Sequence, residues 1–172
     1  MSIREIVLLG DPILREKASE VDVFDDGLRA LVEEMFITMA AAEGAGLAAP
    51  QVGIGKRLLV TDVSREEGDA GRVAVVNPEI VEVGDEEDRE PEGCLSIPGV
   101  TEVVARPSRV VVRGLDPLGA PIRIEAEGLF SRVLQHEIDH LDGILFFDRI
   151  SPLKRRMLLK KYRKLCAEEK TA

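Results

Sequence analysis

Residues 135–140 read QHEIDH, and the two histidines in it are the only ones in the chain. On a helix of about 3.6 residues per turn, His136 and His140 project only about 40° apart, so one face offers two imidazoles to a single ion. Glu137 points about 100° away from His136 and reaches toward the same region without sharing the ligand face. This is the H-E-x-x-H spacing, in which the glutamate is the general base for a metal-activated water. A catalytic ion of this kind takes three protein ligands and keeps a fourth position open, so a third ligand must come from elsewhere.

Elimination narrows that ligand. The longer pattern with a third histidine is matched only as far as Gly143, and Phe146 stands where that histidine belongs. No glutamate occurs between Glu137 and Glu168, and Glu168 and Glu169 lie in a charged tail. The remaining candidates are thiolates and upstream carboxylates; of the two cysteines, Cys166 follows a basic helix beside Leu165 and reads as helix packing. Cys94 lies in EGCLSIPG, a short strand-like segment bounded by glycines. One thiolate and two imidazoles complete the set, and Cys94 is the expected third ligand.

The rest of the chain frames this site. Leu28, Leu31, Val32, Met35, Phe36 and Met39 recur at helical spacing, predicting a helix over 26–43 capped by Asp25 or Asp26 and stopped by Gly44 and Gly46. RLLVTDV at 57–63 and RVAVVN at 72–77 read as strands. VVVRGLDPLGAPIRIEA reads as a hairpin turning at Asp116-Pro117-Leu118-Gly119. The metal-binding helix should run from about Gly128 to Leu141, with Gly143 just beyond it. A further helix, about 151–169, starts with Ser151 as cap and Pro152 in its first turn. Strand follows strand without alternating helices. The expected fold is therefore α+β, one domain over 1–172, with short antiparallel sheets around a central metal-binding helix and a C-terminal helix.

Composition limits the function classes. Net charge is −9, which argues against a body that wraps DNA. No apolar run reaches the length of a membrane span, and the first residues have neither the pattern of a signal peptide nor that of a transit peptide. Two cysteines in 172 residues fit a reducing cytoplasm. The charge is uneven. Residues 82–92, EVGDEEDREPE, hold seven acids and one base and read as a solvated loop, whereas 154–164, KRRMLLKKYRK, hold seven bases and no acid. In this last helix Leu153, Met157, Leu158, Tyr162 and Leu165 are the residues expected to pack on the body.

A third segment, GAGLAAPQ at 44–51, lacks the Gly-Lys-Ser/Thr of a phosphate loop. Its small residues allow close approach, and the Gln51 amide offers donors for a carbonyl oxygen. Taken alone it reads as a tight helix-to-strand loop.

GAGLAAPQ, EGCLSIPG and QHEIDHLDG, in this order and in a chain of this length, resemble the three signature motifs of the peptide deformylases. DPILREKA and ISPLKRR are similar to the bacterial members. The resemblance implies hydrolysis of the formyl group from N-formylmethionyl peptides, the N-termini of nascent proteins, with release of formate. It implies Cys94, His136 and His140 as metal ligands and Glu137 as the proton carrier. Gln51 and the Leu95 backbone N–H become oxyanion donors, and Gly46 lies beside the peptide. Ligand type alone favours zinc; the resemblance implies Fe(II), replaceable by zinc, nickel or cobalt. Leu129 and Val133 continue the stripe of His136 and His140 and are expected both in the core and in a pocket for the methionine side chain. The basic helix is an expected docking face for the ribosome. The rival expectations are a metallopeptidase acting on ordinary peptide bonds and a non-catalytic module with a structural metal, distinguished by internal cleavage of unblocked peptides or by a closed four-ligand site.

Overall fold

In the computed structural model, which describes residues 2–63 and 71–171, Asp25 opens the first helix. Its carboxylate accepts the Leu28 N–H at 2.9 Å, satisfying one of the donors that a helix start leaves free. Helix α1 spans Asp26–Ala41 and buries Val32, Met35, Phe36 and Met39. It ends at Ala41, ahead of the expected glycine stop. Glu43 adopts φ 57°, and the Gly44 N–H turns back to the Met39 carbonyl.

The strands are β1 (Gly46–Ala48), β2 (Leu58–Asp62), β3 (Arg72–Val83), β4 (Glu87–Cys94), β5 (Ile97–Pro107), β6 (Arg109–Leu115) and β7 (Pro121–Glu127). Helix α2 spans Gly128–Leu141 and α3 spans Pro152–Thr171. Five strands form one antiparallel sheet in the order β1-β2-β3-β6-β7, and β4 with β5 forms a separate antiparallel pair. The expected hairpin is β6–β7. It closes through Asp116 and Gly119, the latter at φ 88°, where a glycine carries no steric penalty.

The sheet is covered on both faces. Leu58, Val60 and Val76 meet Met35, Phe36 and Met39 of α1. Leu59, Val75, Val110 and Val112 meet Leu134, Ile138 and Leu141 of α2. Burial on both faces explains why the start of β2 is continuously apolar instead of alternating. A third cluster joins Ile97, Val100 and Val104 of β5 to Phe146, Phe147, Leu158 and Tyr162. Thus α2 lies between the large sheet and the β4–β5 pair, as the α+β expectation of a central helix requires.

Two expectations are corrected. The acidic run 82–92 is not a loop: it ends β3 and fills most of β4. Six of its acids are exposed and only Glu92 is buried, so it carries no apolar alternation to betray a strand. Leu153 and Met157 of α3 do not pack on the body; they are 59% and 63% exposed. The buried residues are Leu158 and Tyr162, and Met157 and Leu153 lie about 100° and 140° around the helix from Leu158.

Candidate active site

Every residue of α2 from Ser131 to Leu141 is buried. An apolar stripe faces the large sheet, and the opposite side carries Arg132, Gln135, His136 and Asp139 toward β4 and β5. Polar groups in that position need partners, because an unpaired one costs about 1–3 kcal/mol. Gln135 donates to the Pro107 carbonyl at 2.9 Å. Arg132 donates to the carbonyls of Val104 and Asp88, both at 2.9 Å.

His136 and His140 sit on neighbouring turns with ring centroids 5.0 Å apart. Cys94 ends β4, where a register shift follows Glu92, and its Sγ lies 3.3 Å from His140 Nε2. Ligand atoms of Cys94, His136 and His140 all fall within 4.8 Å of one another. This donor set fits a divalent metal: one thiol and two imidazoles converge, and three protein ligands leave room for a further one. Cys166 takes no part; it packs in the third cluster with Tyr162. Phe146, which occupies the place of a third histidine in the longer motif, stacks its ring on His136 at 6.2 Å.

Glu137 is buried beside the two imidazoles, and its Oε1 has no hydrogen-bond partner. Burial raises its pKa to about 7, with His136 and Arg106 opposing and Glu92 and Asp139 adding. Burial disfavours charge on His136, but Glu137, Cys94 and Glu92 outweigh it and leave the pKa raised. Burial and the His136 charge together lower the pKa of His140.

Gln51 stands in a short 3-10 turn, Ala49–Val52, directly after β1. Its Oε1 accepts the Ala48 N–H at 2.9 Å, which fixes the amide orientation. The NH₂ end therefore points to Ser96 Oγ at 3.1 Å and Cys94 Sγ at 3.5 Å. The N-terminal segment ties the two loops together: the Val7 N–H donates to the Gln51 carbonyl at 2.8 Å and the Leu9 N–H to the Ser96 carbonyl at 2.9 Å.

A cavity of about 700 Å³ opens over these groups. Gly46, Gln51, Cys94, Leu95, Leu129, Val133, His136 and Glu137 all line it, and His140 lies beneath, 1% exposed. The nine residues singled out in the sequence thus come together in one place.

Sequence reasoning missed the charged network behind His136. Glu92 Oε1 lies 2.8 Å from His136 Nδ1. Arg106 binds Glu92 through two nitrogens, at 2.5 and 2.9 Å, and Arg132 adds a third contact at 2.6 Å. Asp139 completes the chain, held by Arg106 and by two nitrogens of Arg149, Nε and Nη2. The Glu92 carboxylate would be raised by burial alone, but hydrogen bonds from His136 and Arg106 reverse this and hold it at about 2. A faint signal was present: Arg132 stands one turn before His136, and Glu92 is the acid nearest Cys94.

Comparisons with known proteins give the family and the fold. The family model for polypeptide deformylase matches residues 3–156. The peptide deformylase of Thermodesulfovibrio yellowstonii is 48% identical over 163 residues, 95% of this chain and 98% of that protein. The crystal structure of a peptide deformylase from Legionella pneumophila superposes with a TM-score of 0.91 at 44% identity, covering 99% of both chains. That of the Synechococcus elongatus enzyme in complex with actinonin gives 0.86 at 44% identity, covering 92% of this chain and 86% of that one. Members of the family are metal-dependent hydrolases that remove the formyl group from the N-terminal methionine of nascent polypeptides. With one family model covering most of its length and relatives this similar end to end, the chain belongs to the polypeptide deformylase family.

Proposed function

We propose that the cavity over Cys94, His136 and His140 carries out this deformylation, with each residue in the role its position supports. The observation that carries the reading is the convergence of the three donor atoms within 4.8 Å, beside a buried Glu137 whose Oε1 has no partner. Cys94, His136 and His140 hold the metal. A divalent cation there supplies Lewis-acid charge, bringing the pKa of water toward neutrality and polarising the formyl carbonyl. Fe(II) is the metal proposed from the family resemblance, and zinc, nickel or cobalt suit the same donors.

Glu137 takes a proton from the attacking water and returns it to the departing amine. A carboxylate serves both steps, because it is a competent base and, once protonated, a competent acid. As the carbonyl carbon becomes tetrahedral, negative charge grows on its oxygen. The Gln51 NH₂, already turned toward Cys94, and the Leu95 N–H meet that charge, each donor contributing on the order of 3 kcal/mol. Leu129 and Val133 form the apolar wall against the methionine side chain, and Gly46 borders the peptide.

The substrates are formyl-Met peptides of nascent chains, in a reducing cytoplasm where Cys94 stays a thiol. Support for that compartment is the pair of free cysteines; among the described residues no helix is long and apolar enough to cross a membrane. The basic face of α3, including exposed Lys160, Lys161 and Lys164, is proposed to meet the ribosome.

Anaerobic purification, metal analysis and a formate-release assay on formyl-Met peptides test the proposal. One metal per chain and formate release are expected, both lost in Cys94→Ala and retained in Cys166→Ala. Full metal content and activity in Cys94→Ala would overturn the ligand assignment.

A further inference from the structure

Gly46 is in a strand, paired with Thr61, and its φ is not in the left-handed region. Conformation therefore does not demand a glycine here, but space does. A Cβ on Gly46 would stand 2.7 Å from Glu137 Oε2, 2.9 Å from Glu137 Cγ and 2.7 Å from Val133 Cγ1. Real Cβ atoms do not approach other atoms so closely. Val133 and Glu137 lie one turn apart on α2, so both face the same backbone point of β1. Gly55, by contrast, would meet nothing within 4 Å.

We propose that Gly46 is a positioning residue for Glu137: the side chain it lacks leaves the volume in which the Glu137 carboxylate rests against the strand. This goes beyond a place beside the peptide and rests on the role proposed for Glu137. The clash reaches Glu137 Cγ, next to the helix backbone, as well as the carboxylate, so the side chain can make room only by shifting into the cavity that it lines. Any side chain at 46 must push the carboxylate along the cavity or lift α2 from β1. Either shift moves the proton carrier relative to the formyl carbon, and a displacement of about 1 Å costs on the order of 10²-fold in rate.

The same clearance sets the Val133 wall, which predicts a second effect of smaller size on substrate affinity. The two effects separate because Val133 has no part in proton transfer.

A double-mutant cycle reads the coupling. Gly46→Ala and Glu137→Gln are made singly and together, and single-turnover rates on a formyl-Met peptide are measured with metal content and thermal midpoint. Gly46→Ala is expected to lower the rate roughly ten- to hundred-fold in the otherwise native chain. In the background carrying Glu137→Gln, the same change is expected to cost about two-fold or less, because the group it displaces is already disabled. One metal per chain should persist throughout. Equal fold-losses in both backgrounds, or no loss from Gly46→Ala in the native chain, overturn the inference. Near-native rates for Glu137→Gln alone instead overturn the role of Glu137 itself. If Gly46→Ala does not fold, Gly46→Ala combined with Val133→Ala relieves one of the close contacts. It is then compared with Val133→Ala alone under the same two outcomes.

Discussion

Glu92 Oε1 lies 2.8 Å from Nδ1 of His136, which leaves Nε2 as the ring nitrogen available to a metal. A carboxylate behind a ligating imidazole fixes the tautomer, turns Nε2 toward the metal and makes the ring a stronger donor. Glu92→Gln keeps a hydrogen-bonding shape but loses the charge. Its metal affinity should fall roughly 10- to 100-fold, measured by competition with a chelator. Unchanged affinity would mean that His136 is oriented by packing on Phe146 alone.

Glu92 also contributes to the acid sensitivity of the metal-free fold. Its folded pKa of about 2 lies below the ordinary 4.5. The stabilisation is therefore complete above about pH 4.5 and is lost as pH falls from there toward 2. The difference corresponds to on the order of 3 kcal/mol. Urea midpoints of the chelated protein between pH 6 and 2 should fall more steeply in the native chain than in Glu92→Gln. Parallel curves would show that Glu92 is not the responsible group.

The N-terminal segment bridges the two loops that carry the proposed oxyanion donors. Val7→Pro removes the N–H that holds the Gln51 carbonyl. One such bond contributes about 0.5–1.5 kcal/mol, so kcat should fall several-fold. Metal content should remain at one per chain, because no ligand is touched. Loss of metal in parallel with activity would mean that the segment supports the whole fold and not the donors.

Neutral replacements at Lys160, Lys161 and Lys164 should leave hydrolysis of short formyl peptides nearly intact, since α3 lies outside the cavity. Sedimentation with ribosomes should weaken and should fall steeply with salt in the native chain. Binding that is equal in both proteins, or indifferent to salt, would make the helix a plain solvated surface.

The parts legible in the sequence were those that local chemistry dictates. QHEIDH specifies a helix face by its spacing, and the end of α2 at Leu141 follows from Gly143, whose φ is 74° and where a Cβ would meet the Arg15 carbonyl oxygen at 2.6 Å. Cys94 came from elimination over a chain with few candidate ligands. What stayed hidden depends on partners distant in sequence. Glu92 is one acid among seven until β4 turns it inward, 44 residues from His136. Arg106 is an ordinary strand residue until Glu92 and Asp139 close on it from β4 and α2. The strand character of 87–91 was masked because its side chains face solvent, and Leu153 and Met157 misled because an apolar residue on a helix need not be on its buried stripe.

In the proposed mechanism Glu137 moves the proton while Cys94, His136 and His140 hold the metal. Glu137→Gln, purified anaerobically, tests it most directly through metal content and formate release measured on the same sample. One metal per chain and a turnover lowered roughly 10²- to 10⁴-fold are expected. Near-native turnover with the metal in place would contradict it.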